Sequence, residues 1–334
     1  MGRRIFMAAV LALYGGGAFA QAPQNAGEVY PARPIRLVNS LSAGSAGDRL
    51  ARQFADALSP RVNQKVLVDN RPGDGGNIAA VAVAKAPADG YLLLFSSTAS
   101  LAIQMTYGNL GNSGGGTLPY DLRRDFAPIS TVAQIPNGFF VTPVFTGDSL
   151  QALVKEAKAQ PGKLTCASSG VGGLLHLTCK LFKKSAGVDV LHVAYKGSTA
   201  FLPELVSGRI TLAFDNVPVY VPLVNAGKLK ILAVTSQKRA SVLPFVPTTA
   251  ELGMPQLESV GLFGLLAPAR TPEAVVKMLS SASVAALRQP ALRAQAQKEG
   301  VEPDGSVPDG LRRQIDNEIN KWARVIKDAN IGRE

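Results

Sequence analysis

The chain has 334 residues, 46% of them apolar and 18% charged, which excludes disorder or a coiled coil as its main state. At ~150 residues per domain that length accommodates about two domains. Lysine and arginine outnumber aspartate and glutamate 35 to 24, a net charge of +11, while two cysteines and two histidines leave no stock for a four-cysteine iron–sulfur centre and little for metal chemistry.

Arg3 and Arg4 precede an apolar run over residues 5–14, and small residues flank Phe19 in Ala18-Phe19-Ala20. This order is that of a secretory signal cut after about Ala20. The run is about half of the ~20 apolar residues that span a bilayer, so no retained membrane helix is expected. The adjacent arginines leave open whether export is by the general or the twin-arginine route. Taking Arg3 and Arg4 away with residues 1–20 lowers the charge from +11 to +9.

Beyond residue 29 the pattern alternates between β-branched runs and 3.6-period segments. Residues 34–41 read as a strand and 48–62 as a helix with Leu50, Phe54, Leu58 and Val62 along one face. Strands over 65–69 and 91–97 enclose a helix over 78–85. Residues 108–117, rich in Gly and Asn, read as a surface loop. The grammar repeats with helices over 150–159, 172–185, 198–206 and 219–225 between strands over 164–167, 188–195, 210–215 and 229–235. An extended apolar segment at 259–267 precedes helices over 272–287 and 308–327. Strands separated by helices of this size imply crossovers and parallel sheets, an α/β protein.

Ligands of open parallel sheets gather where strands end and helices begin. Three such ends are rich in hydroxyls, the first and last also in glycine: residues 40–48, 96–100 and 167–173. Each offers backbone N–H groups and hydroxyls with almost no charge, which suits a small carboxylate. Nucleotide motifs fail: after Gly170-Val171-Gly172-Gly173 the dinucleotide fingerprint requires Gly or Ala where Leu175 stands, and no phosphate-loop lysine follows. A hydrolase elbow is missing as well. The alternative function is a periplasmic serine-type hydrolase using Ser169 and His176. Cys166 ends a strand and Cys179 lies in the following helix, so a disulfide and a pair of buried thiols both remain open. Basic pairs such as Arg123-Arg124 and Lys238-Arg239 are dispersed among apolar or acidic neighbours, which argues against nucleic acid.

Several segments together resemble a known family. They include Tyr30-Pro31 with Pro34-Ile35-Arg36, Asp69-Asn70-Arg71-Pro72-Gly73 with Gly75-Gly76-Asn77, Ala88-Asp89-Gly90-Tyr91, Ala167-Ser168-Ser169-Gly170, Tyr195-Lys196-Gly197-Ser198 and Phe214-Asp215-Asn216. From about residue 30 to 330 the chain is similar to the Bug, or TctC-like, extracytoplasmic solute receptors of tripartite tricarboxylate transport systems. The resemblance implies a two-lobed type II periplasmic-binding-protein fold, each lobe a mostly parallel sheet flanked by helices, with crossing strands between them. Lobe 1 is expected over residues 29–130 and 256–330, and lobe 2 over 131–255. It further implies a monomeric periplasmic receptor, with no catalytic role and no cofactor, closing on a small carboxylate that it hands to a membrane permease or a sensor kinase.

Carried over by the same resemblance, the ligand contacts are Leu41, Ser42, Ala43, Gly44 and Ser45 in the first loop, then Ser97, Ser100 and Gln104 after the third strand. The second lobe supplies Ser168, Ser169, Gly170 and Asp215. Ionised, Asp215 only accepts hydrogen bonds, so it fits a water, hydroxyl or ammonium better than a carboxylate. The chain departs from the family pattern where Ser40-Leu41 replace Pro-Phe, where Ser45 replaces Gly, and where Val171, Gly173 and Leu174 stand in places commonly polar. A less polar wall points away from a tricarboxylate and towards an aromatic or monocarboxylic acid.

Overall fold

The computed structural model describes residues 30–107 and 118–331. The expected signal over residues 1–20 and the loop over 108–117 lie outside them. The first stretch contains β1 (Ile35–Asn39), α1 (Ala46–Leu58), β2 (Val66–Asn70), α2 (Asn77–Ala84), β3 (Leu92–Ser97) and α3 (Thr98–Tyr107). A long strand, β4 (Phe126–Val141), leads to the second stretch. There α4 (Leu150–Ala159), α5 (Leu174–Ala186), α6 (Ser198–Ser207) and α7 (Val217–Asn225) alternate with β5 (Thr165–Ser168), β6 (Leu191–Ala194), β7 (Leu212–Asn216) and β8 (Lys230–Val234). The chain returns through β9 (Val260–Pro268), α8 (Glu273–Leu287), α9 (Pro290–Lys298), β10 (Glu302–Ser306) and α10 (Pro308–Asp328).

Pairing is parallel within each crossover set and antiparallel where the sets join. β1 lies between β2 and β3 in parallel register, with Leu37 opposite Val68 and Leu93. β5 likewise lies between β6 and β7. β9 runs antiparallel to both β3 and β4. β4 serves both sets: residues up to Pro136 pair with β9, and from Asn137 to Val141 they pair with β7, with Gly138 onward also pairing β8. The change of partner falls at Pro136–Asn137.

The apolar stripe on α1 behaves as its spacing requires. Leu50, Phe54 and Leu58 are buried, Ser45 caps the helix by accepting from the Asp48 amide, and Pro60 turns the exit into a tighter coil before Val62. α10 buries Leu311, Ile315, Ile319, Trp322 and Ile326 on one face, against α3 and β4. Each fully buried large side chain of this kind contributes roughly 1.5–3 kcal/mol. In the second set Phe139 packs on Phe214 and Phe182, with ring centroids 4.4 and 4.9 Å away. Cys166 and Cys179 are joined in a disulfide with Cα atoms 6.4 Å apart, tying α5 to β5. Among the described residues no helix is long and apolar enough to cross a membrane.

Candidate functional site

The first wall is the turn between β1 and α1, and a buried carboxylate fixes its shape. Asp48 accepts from Asn39 Nδ2 (3.2 Å), Asn70 Nδ2 (2.7 Å), Gly44 N (2.9 Å) and Arg52 Nε (3.1 Å). Asn39 Oδ1 in turn accepts from Leu41 N, and Asn70 Nδ2 also donates to Leu41 O. The side chains of β1, β2 and α1 thus hold the backbone of residues 41–44 in one course. Burial pushes the Asp48 carboxyl up, and the hydrogen bonds from Asn70, Gly44 and Arg52 outweigh it, so the group sits below its ordinary range. Ser40 Oγ and Ser96 Oγ lie 2.8 Å apart at the base of the turn. Ser42 Oγ is buried with no hydrogen-bond partner among the described residues.

β3 runs into α3 with no intervening loop, so the hydroxyls of residues 97–100 stand at a helix start. Ser97 Oγ accepts from Ser100 N. Across from them lies the turn from β5 to α5. Ser168 Oγ donates to Gly170 O and sits 2.8 Å from His192 Nε2, while Gly172 N donates to His176 Nδ1 over 2.8 Å. The two imidazoles stack with centroids 4.1 Å apart. The end of β7 supplies Asp215, whose carboxylate accepts from Tyr220 Oη (2.8 Å) and Asn216 N (2.8 Å). Burial raises its pKa to about 6, against the lowering by Tyr220, Asn216 and Ser198.

These walls line a small cavity of about 60 Å³. Of the expected contacts, Leu41, Ser42, Ser45, Ser97, Ser100, Ser169 and Asp215 line it. No lysine, arginine or histidine does, and Asp215 is the lining carboxylate. Ala43 and Gly44 face solvent instead. Ser168 is turned to His192, Gln104 donates to Val171 O, and Gly170 lies against Gly75. Pro72, Gly73, Gly75, Gly76, Gly197, Ser198, Asn216 and Gly261 line the cavity although sequence reasoning did not place them there. Most belong to the motifs that carried the family resemblance, and those motifs were the available signal.

The alternative pair, Ser169 with His176, is not assembled. α5 begins at Leu174, so His176 falls in its first turn and reaches back to the Gly172 amide. The hydroxyl that meets an imidazole belongs to Ser168, and its partner is His192. Among the described residues no group of three or more His, Cys, Asp and Glu side chains could hold a metal ion.

The chain is similar along most of its length to several known proteins. Protein BugT of Bordetella pertussis is 34% identical over 321 residues, 96% of each chain. The solved periplasmic binding protein BugD is 28% identical with a TM-score of 0.85, covering 91% of this chain and 100% of that one. An R. palustris protein solved with adipate is 36% identical, also with a TM-score of 0.85, over 91% of this chain and 99% of the other. The fold is therefore the α/β periplasmic-binding-protein fold. Residues 50–331 match the family described as the tripartite tricarboxylate transporter family receptor, and the chain belongs to that family.

Proposed function

We propose that this chain is an exported receptor that closes two lobes over a small organic acid bearing at least one carboxylate. The observation that carries the reading is the buried Ser42 hydroxyl, without a partner among the described residues, beside a cavity whose lining offers neutral donors and no cationic side chain. The amides at the start of α1 and the hydroxyls of Ser42, Ser45 and Ser97 would hold one carboxylate. Ser169, Ser198 and Asp215 would meet the other end, where Asp215 favours a hydroxyl, an ammonium or a proton-sharing carboxyl. That a relative is solved with adipate supports a carboxylate ligand.

The lobes would be residues 29–130 with 256–330 and residues 131–255, pivoting where β4 changes partners. The mature protein would leave a signal cut after about Ala20, work in the periplasm as a monomer without catalysis, and present its ligand to a transporter permease or a sensor kinase. A thermal-shift screen of mono- and dicarboxylates, hydroxy acids, amino acids and aromatic acids tests the reading. A ligand at 100 times its Kd adds about 2.7 kcal/mol, a rise of about 5 °C for a chain of this size. Ser42→Ala should abolish most of that rise. A screen in which no acid raises Tm overturns the proposal.

A further inference from the structure

We infer that Gln104, seconded by Ser100, is a latch that fastens α3 to the start of α5 across the cleft and so sets how often the free protein opens. Gln104 was expected to touch ligand. Instead its side chain is buried outside the cavity lining and Nε2 donates to Val171 O over 3.1 Å. One turn earlier on α3, Ser100 Oγ accepts from Leu174 N over 3.2 Å. That amide belongs to the first turn of α5, where no intrahelical partner exists. Both acceptor–donor pairs join side chains of the β1–β3 set to backbone of the β5–β7 set, about seventy residues on.

The backbone around the amide is shaped to receive it. Gly172 has φ +74° and Gly75 φ +60°, and a Cβ on either would collide with the Gln104 side chain, at 2.6 Å from Nε2 for Gly172. A Cβ on Gly170 would lie 3.0 Å from Gly75 N. Glycines from the Asp69–Asn77 motif and from the turn before α5 therefore meet backbone to backbone, with the Gln104 amide between them. The neutral hydrogen bonds are made only while the cleft is shut, so each shifts the closed-to-open ratio by about threefold to tenfold. Through that ratio, Gln104 would adjust ligand affinity from outside the site. The inference rests on the receptor reading only for the identity of the parts that move.

Its test needs no ligand and so stands or falls separately from the thermal-shift screen. Native-state hydrogen exchange of the Leu174 amide in the full free protein reports opening of the seam. In Gln104→Ala that amide, which the substitution does not touch, should exchange about threefold to tenfold faster, with exchange in α1 unchanged. Gln104→Glu keeps the shape but loses the donor while ionised. Its exchange should be fast at pH 7 and return to the wild-type rate near pH 4, where a carboxyl of ordinary pKa ~4.3 regains its proton. Unchanged Leu174 exchange in Gln104→Ala overturns the latch, as does acceleration in Gln104→Glu that persists at pH 4.

Discussion

Two buried aspartates at the site titrate in opposite senses: at Asp215 desolvation outweighs the hydrogen bonds, and at Asp48 the hydrogen bonds and the Arg52 charge outweigh desolvation. Asp48 takes four hydrogen bonds, one of them from a guanidinium, and is held below the ordinary carboxylate range. Its contribution is therefore complete above pH ~4 and is lost as pH falls through the lowered folded value. Asp48→Asn turns an amide donor towards the Asn39 and Asn70 donors, and should cost about 2–4 kcal/mol at pH 7 by urea unfolding. The difference from wild type should shrink below pH 4. Asp215 is raised to about 6, so its folded form holds a proton that the unfolded chain releases near pH ~3.9. Stability should then fall as pH climbs from about 4 to about 6, by roughly 3 kcal/mol, and stay low above. Asp215→Asn should remove that slope and be the more stable protein at pH 7, as urea midpoints across pH 4–8 would record.

At the scale of elements, the disulfide fastens the helix whose first turn carries the second-set wall. Cys166 and Cys179 are 13 residues apart, and a closed loop of that length contributes about 3 kcal/mol through the unfolded state. Reduction should lower the urea midpoint accordingly, and Cys166→Ser with Cys179→Ser should match the reduced protein. Much of this framework was legible: α4 occupies the residues expected, and α1, β3, α5, β7 and α10 begin within two residues of their expected starts. β4 was not, because Pro128, Pro136 and Gly138 interrupt its apolar run; its pairing with β9 carries register shifts between Pro128 and Ser130 and between Thr131 and Ala133. α3 was read as a hydroxyl-rich loop because β3 passes into it directly. β10, Glu-Pro-Asp-Gly-Ser, has no strand character of its own and is extended because β4 lies beside it. The candidate site shows the same limit. Sequence located the turns that leave the strands, but Ser42 and Ser169 became one cavity, and Gln104 and Val171 one seam, only through long-range packing.

For the whole molecule, charge and recognition are separated in space. The chain carries +11, or +9 without residues 1–20, yet the cavity has no cationic side chain in its lining. An anionic ligand would feel the positive field during approach and exchange it for uncharged hydroxyls and amides on arrival. Screening weakens a field acting over many ångströms, since the Debye length falls from ~30 Å at 0.01 M salt to ~8 Å at 0.15 M. Short hydrogen bonds within the cleft are screened far less. Stopped-flow binding of a carboxylate that raises Tm in the thermal-shift screen should therefore show an association rate that falls several-fold between 0.01 and 0.15 M salt, with dissociation nearly constant. A dissociation rate that rises in step with salt would place a cationic side chain in contact with the ligand, contrary to a lining that contains no lysine, arginine or histidine.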